Sequence, residues 1–288
     1  MSSPADAPRT AGEMLARARE FLTRKATDAP RLEAELLVAH SLGLDRLQLF
    51  LQLDRPITAV ELAKARELLL RRGKHEPVAY ITGRREFYGR SFAVGRGVLV
   101  PRPETELIVD LARSLHAQSP RASVLDIGAG SGCLAITLAL ELSAPRVVAV
   151  DISPAALTVA RSNAAALAAQ VEFLLGDGPE ALGAAEPFEL LVSNPPYIDP
   201  SEAASLAPDV RDWEPSEALF TPAGDPDHWL VRLNRAAAER LSADGVALIE
   251  LGHQQAPRAL ELALAAGLRA RTHRDYGGVE RVLELRRA

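Results

Sequence analysis

From Ala122 onward the sequence repeats one pattern: a short apolar run, a glycine-containing turn, then a helix-length stretch. The apolar runs at 123–127, 146–150, 171–175, 188–193 and 245–250 each suit one strand, and segments such as 153–168 suit one helix. Runs this apolar are buried on both faces, so the alternation predicts a parallel sheet covered by helices on either side. A helix-length segment at 254–266 is followed by two more candidate strands, 269–274 and 281–286, joined by Asp275 to Gly278.

The chain before this region is built differently. Up to about residue 75, apolar residues recur at helical spacing between recognisable caps, which predicts a small helical bundle. Thr10 with Glu13 forms a capping-box pattern ahead of Met14, Leu15, Ala18, Phe21 and Leu22. Asp28 and Pro30 open a second helix with Leu32, Leu36 and Ala39 in line, stopped at Gly43. Thr58 and Glu61 open a third, which runs through Leu62, Ala65 and Leu69 to Gly73. Between Pro77 and Pro101 the texture changes to glycine, aromatic and β-branched residues, which predicts a hairpin-like connector. The expected division is 1–75 helical, 76–100 hairpin linker and 101–288 α/β.

Asp126-Ile-Gly-Ala-Gly-Ser-Gly132 directly follows the first strand of the repeat and opens a helix, where glycines let backbone approach a ligand. Such a loop serves many nucleotides; it is not the dinucleotide G-x-G-x-x-G, and the chain has no phosphate-binding G-x-x-x-x-G-K-[ST]. Asp151 ends the second strand, where a carboxylate can accept both hydroxyls of a ribose. Ser153 before Pro154 is the expected helix cap, which leaves Asp151 to a ligand. Asp177, between Gly176 and Gly178, follows the third strand and could accept an adenine amine or simply form a turn.

Asn194-Pro195-Pro196-Tyr197 carries the strongest chemical signal, because it falls at the carboxyl end of the fourth strand. Two prolines remove two backbone donors and leave bare carbonyls beside the Asn194 carboxamide, with an aromatic ring following. That set accepts hydrogen bonds from an NH₂ group. Amides and exocyclic amines are poor nucleophiles, and acceptors on both N–H bonds orient the nitrogen and favour its attack. Catalytic and acceptor-binding roles are therefore expected for Asn194, Pro195, Pro196 and Tyr197.

These residues, with others along nearly the whole chain, resemble the PrmC/HemK protein-(glutamine-N5) methyltransferases. The likeness covers Glu76-Pro77-Val-Ala-Tyr80-Ile-Thr-Gly83, Glu86-Phe87-Tyr88-Gly89, Val100-Pro101-Arg102-Pro103-Glu104-Thr105-Glu106, Asp126 to Gly132 and Asn194 to Ile198, with Glu214-Pro215 and Ala218-Leu219 further on. The run from Pro101 to Glu106 is its most family-specific part. The resemblance implies a seven-stranded, Rossmann-like class I methyltransferase domain with its last strand antiparallel, preceded by a substrate-binding helical domain and a β-hairpin linker. It implies S-adenosyl-L-methionine as methyl donor, with Gly128, Ala129, Gly130, Ser131 and Gly132 on the methionine portion, Asp151 on the ribose and Asp177 and Gly178 near the adenine. Asn194 would serve donor and acceptor alike. Relatives often carry an aromatic residue where this chain has Gly178, which leaves Phe87 as a candidate to stack on adenine.

The expected substrate is a glutamine of peptide chain release factors; the alternatives are a DNA or RNA amine methyltransferase and a non-catalytic nucleoside-binding protein. Thirty-three basic against 38 acidic residues give a net charge of −5, which disfavours a broad grip on phosphates. Arg84, Arg85, Arg90, Arg96 and Arg102 give the linker a local basic face, read as solvated. Five prolines between Asp199 and Asp227 mark a long irregular segment beside the site, with Trp213 either part of a substrate grip or core. A lone Cys133, no apolar run near ~18 residues and an N-terminus without a signal pattern predict a cytoplasmic protein off the membrane. His253 and His273 lack ligand spacing, so no metal is expected. No stable nucleic-acid partner is expected, and the chain is read as a monomer.

Overall fold

A computed structural model of the chain describes residues 7–183 and 187–288. In chain order it begins with α1 (Ala11–Arg24), α2 (Pro30–Leu42), α3 (Arg46–Leu51), α4 (Ala59–Arg72) and α5 (Val78–Thr82). The hairpin β1 (Arg84–Phe87) and β2 (Arg90–Ala93) leads to α6 (Glu106–Gln118), β3 (Ser123–Ile127), α7 (Cys133–Leu142), β4 (Arg146–Asp151) and α8 (Pro154–Ala166). Then come β5 (Glu172–Leu175), β6 (Phe188–Ser193), α9 (Pro208–Arg211), α10 (Ser216–Leu219) and α11 (His228–Arg240). The chain closes with β7 (Leu241–Glu250), α12 (Ala256–Ala265), β8 (Leu268–Arg274) and β9 (Glu280–Arg287). Among the described residues no helix is long and apolar enough to cross a membrane.

The chain divides into two compact units. One holds the chain up to Gly83 together with Ala207–Trp213; the other holds Arg84–Leu206 and Glu214–Ala288. In the helical unit, Thr58 and Glu61 make the predicted reciprocal capping box of α4, and Thr10 accepts the Glu13 N–H at the start of α1. Its core is Met14, Leu15 and Leu22 of α1 against Leu37 and Val38 of α2, with Leu49, Ala65 and Leu68. Two sequence expectations fail here. Leu32 and Leu36 are 43% and 36% exposed, and α2 buries Ala34, Leu37 and Val38 instead. α2 is apolar on more than one side, so periodicity alone does not choose its inner face. A six-residue helix, α3, also stands between the predicted second and third, closed by a capping box from Asp45 and Gln48.

Ala207–Trp213 joins this unit through an ion pair. The Arg72 guanidinium, 2% exposed, donates to both Glu33 carboxylate oxygens at 2.9 and 2.8 Å, and its other arm reaches Asp209 Oδ2 at 3.2 Å. The guanidinium and two further hydrogen bonds, from Thr27 and the backbone, hold the Glu33 carboxyl below its ordinary range against the opposing effect of burial.

The larger unit is built on a seven-stranded sheet of order β5-β4-β3-β6-β7-β9-β8. β3, β4, β5, β6 and β7 run parallel, while β9 lies antiparallel between β7 and β8, as expected for the last strand. One face is covered by α6, α7 and α8, with Ile108, Leu134, Ile136 and Leu157 packed on Val124, Val147 and Leu190. The other is covered by α11 and α12 through Leu230, Leu233, Ala259 and Ala263. The connector predicted over 76–100 contains only a short hairpin: Val78–Thr82 is helical and belongs with the helical unit, while Phe87 and Phe92 anchor the hairpin in the core of the larger one.

Candidate active site

β3 and β6 are neighbours at the centre of the sheet, and from them the chain proceeds in opposite directions, through β4 to β5 and through β7 onward. Loops leaving the carboxyl ends of two such strands diverge and open a crevice. Ile127 pairs with Ser193, so Gly128 and Asn194 leave the sheet side by side. The crevice has a volume of about 1000 Å³, and its walls include Gly128, Ala129, Gly130, Ser131, Asp151, Asp177, Gly178, Asn194, Pro195 and Pro196.

Gly128, Gly130 and Gly132 all have positive φ, at 88°, 53° and 79°, which is why the turn between β3 and α7 is written in glycine. They do different jobs. A Cβ built on Gly130 meets no protein atom within 4 Å, so the space beside the loop is free of protein. Gly132 is absent from the crevice wall, and a Cβ there would lie 2.8 Å from Ile136 and 3.1 Å from Ala160. It lets α7 and α8 pack closely, which corrects its expected place on the cofactor. Cys133 and Leu134, the first residues of α7, line the wall in its stead.

Ser153 caps α8 as expected, accepting the Ala156 N–H at 3.2 Å. Asp151 is nonetheless committed to the loops on either side: Oδ2 accepts the Gly130 N–H at 2.7 Å and Oδ1 accepts the Ser153 N–H at 2.8 Å. Each carboxylate oxygen keeps a further lone pair for a ligand. Burial raises the Asp151 carboxyl above its ordinary value against these bonds. Asp177 sits at the rim, with Oδ1 held by Arg232 at 2.8 Å. A Cβ on Gly178 would lie 2.7 Å from the same guanidinium, so no aromatic residue fits there without displacing it. Phe87 does not replace it: the ring is 1% exposed, set edge-on against Phe92 at 6.2 Å, and away from the crevice. The aromatic residue on this wall is Trp229 of α11, over which Arg232 lies at 4.7 Å.

The Asn194 carboxamide donates from Nδ2 to Thr105 Oγ1 at 3.0 Å, and Thr105 Oγ1 donates to Glu250 Oε2 at 2.6 Å. Pro195 is buried and Pro196 half-buried in the same wall. Tyr197 is not part of that wall; its ring lies against Gly252, where a Cβ would be 2.8 Å from Cδ2. The next residue, Ile198, is stitched to 219–221 by backbone bonds from Ile198 N to Leu219 O and from Thr221 N to Ile198 O.

The run from Pro101 to Glu106 earns its place through side chains spent on the site's frame. Arg102 donates to Glu214 Oε1 at 2.7 Å, and the other oxygen of that buried carboxylate accepts the Val100 N–H. Thr105 touches Asn194, and Glu106 accepts the Tyr88 N–H at 2.8 Å in the hairpin turn. Arg90 is likewise paired with Glu141, so two of the five linker arginines serve internal contacts rather than a solvated face. Asn163, in the middle of α8, clasps Ala93 of the hairpin and the Ser131 carbonyl of the glycine loop. Neither Glu214 nor Asn163 carries a sequence signal beyond a polar residue among apolar neighbours.

The chain matches the family described as the PrmC N-terminal domain over residues 13–83, and the methyltransferase small domain over residues 106–208. A release factor glutamine methyltransferase of Koribacter versatilis is 44% identical over 236 residues, covering 82% of this chain and 84% of that one. Another from Chlorobaculum tepidum is 42% identical over 283 residues, covering 94% and 95%. The chain belongs to the release factor glutamine methyltransferase family. Among solved structures, the hMettl16 catalytic domain in complex with MAT2A 3′UTR hairpin 6 superposes with a TM-score of 0.55 at 15% identity, covering 78% of this chain and 81% of that one; the likeness is one of fold.

Members of this family take their methyl group from S-adenosyl-L-methionine. The residues present fit that group. Protein-free space beside Gly130, a carboxylate at the end of β4 and an apolar side made by Ile152, Ala156 and Trp229 offer separate surfaces to its charged, ribose and aromatic parts.

Proposed function

We propose that this enzyme methylates the side-chain amide nitrogen, N5, of a glutamine in peptide chain release factors, the glutamine of their Gly-Gly-Gln motif. The observation that carries the reading is the acceptor pair at the carboxyl end of β6, the Asn194 side chain and the Pro195 carbonyl, beside the glycine turn after β3. The relatives named for this reaction support it. Bound S-adenosyl-L-methionine supplies an electrophilic methyl on a sulfonium. Gly128, Ala129, Gly130 and Ser131 hold its methionine portion, Asp151 its ribose hydroxyls, and Trp229 with Ile152 the adenine near Gly178. Asn194 Oδ1 and the Pro195 carbonyl accept the two N–H bonds of the glutamine amide and aim its nitrogen. The N–C bond forms as S–C breaks, and the nitrogen then gives one proton to solvent. Tyr197 shapes this turn from behind, through its contact with Gly252.

The helical unit, residues 1–75 with Ala207–Trp213, holds the protein substrate. The enzyme acts as a monomer in the cytoplasm, with no stable hold on nucleic acid or membrane. The test offers labelled donor with release factor or with nucleic acid, followed by mass spectrometry of the glutamine peptide. Methyl on that glutamine is expected, and none when it is replaced by glutamate, whose oxygens would oppose lone pairs to lone pairs. Label in nucleic acid with release factor unmodified would overturn the reading.

A further inference from the structure

We propose that Thr105 and Glu250 are positioning residues that hold the Asn194 carboxamide with its oxygen, not its nitrogen, turned to the acceptor. This rests on the reading that Asn194 Oδ1 accepts from the substrate amide. The two ends of a carboxamide are nearly identical in shape, so packing cannot choose between them; hydrogen bonding must. Thr105 is 3% exposed and Glu250 2%, so neither can turn to water for a partner. The hydroxyl has a single proton, and the 2.6 Å contact gives it to the Glu250 carboxylate. Toward Asn194 the hydroxyl then offers only lone pairs, and the partner at 3.0 Å has to be the NH₂ end. Polarity set by a buried anion is thus handed through one hydroxyl to the residue that touches the acceptor.

The direction of this relay depends on the charge of Glu250. Facing it are Thr105, Glu104 and Arg102 ahead of α6, Arg281 from β9, Tyr197 after β6 and Cys133 at the start of α7. Burial outweighs the hydrogen bond and the two arginines and places the carboxyl at about 7. An ionised carboxylate accepts from Thr105. A protonated one donates to it, freeing the hydroxyl proton to point at Asn194, and the amide is then stable the other way round, presenting donors to a donor. Turnover therefore rises as pH rises through the Glu250 titration, whereas donor affinity has no reason to follow.

The experiment measures kcat and KM for release factor, and donor affinity by calorimetry, in the full-length enzyme and its Thr105→Val, Thr105→Ser, Glu250→Gln and Asn194→Ala variants. Thr105→Val is expected to lower kcat about ten- to hundred-fold, in the range of one lost aligned contact, with donor affinity nearly unchanged. Thr105→Ser restores most of the loss because it restores the hydroxyl. Glu250→Gln should abolish the rise of kcat through about pH 7 that the wild type shows. Wild-type kcat in Thr105→Val, alongside a crippled Asn194→Ala, would overturn the relay and leave the acceptor reading standing. Wild-type kcat in Asn194→Ala would remove the acceptor reading and the relay with it. Should Thr105→Val not bind donor, the pH profile decides: a rising limb retained in Glu250→Gln refutes the proposal.

Discussion

Asp151 shows how one side chain is shared between frame and function. Its two oxygens hold the turn after β3 and the start of α8 by backbone N–H bonds, and their remaining lone pairs face the crevice. Asp151→Ala should therefore weaken S-adenosyl-L-methionine binding by about 2–3 kcal/mol, the scale of a lost charge-assisted pair. Calorimetric titration measures this, and unchanged affinity would refute the ribose role. Burial has raised this carboxyl, so the ionised acceptor is depleted sooner than an exposed aspartate as pH falls, and donor affinity should decline with it. At this scale the chain could be read only partly in advance. Asp151 and Asn194 were visible because each stands where a parallel sheet ends. Thr105 stood inside a quoted motif, but its partner Glu250 lies 145 positions away, and nothing local joins them. Phe87 and Gly132 were misread for a related cause: whether a ring or a glycine faces ligand or core is decided by neighbours from other elements.

Elements were legible where one physical rule acted alone. The parallel strands followed from apolar runs bounded by turns, and the α4 start from Thr58 and Glu61. The α2 face was not, because leucines on two sides left the choice to packing. The join of α7 and α8 gives a direct test of an element contact. Gly132→Ala would put a methyl 2.8 Å from Ile136 and 3.1 Å from Ala160, at a φ of +79°. Strain and overpacking together should cost about 2–4 kcal/mol. Denaturant unfolding would show the loss, and an unchanged midpoint would mean that α8 gives way freely. Gly130→Ala carries the backbone strain without the clash, and should cost less stability.

In the helical unit, stability and composition meet at Arg72. Its guanidinium is almost wholly enclosed and balanced by Glu33 and Asp209, so Arg72→Ala strands two carboxylates and should destabilise this unit by about 3–5 kcal/mol. Replacing Arg72 by Met together with Glu33 by Gln should recover much of that, since a buried pair is costly mainly when half of it is left; thermal melts of the two variants check the contrast. Glu33 is held below its ordinary pKa, so its share of the stability is present above the usual carboxylate range and is lost as pH falls through the depressed value. Asp209 comes from a segment more than a hundred positions later, within a stretch framed by Leu206 and Glu214 of the other unit. The helical unit is consequently not a cassette that ends at Gly83. A chimera that exchanged only the first 83 residues with a relative would leave a resident α9 facing foreign helices, and graft designs should carry Ala207–Trp213 along as an obligatory second piece.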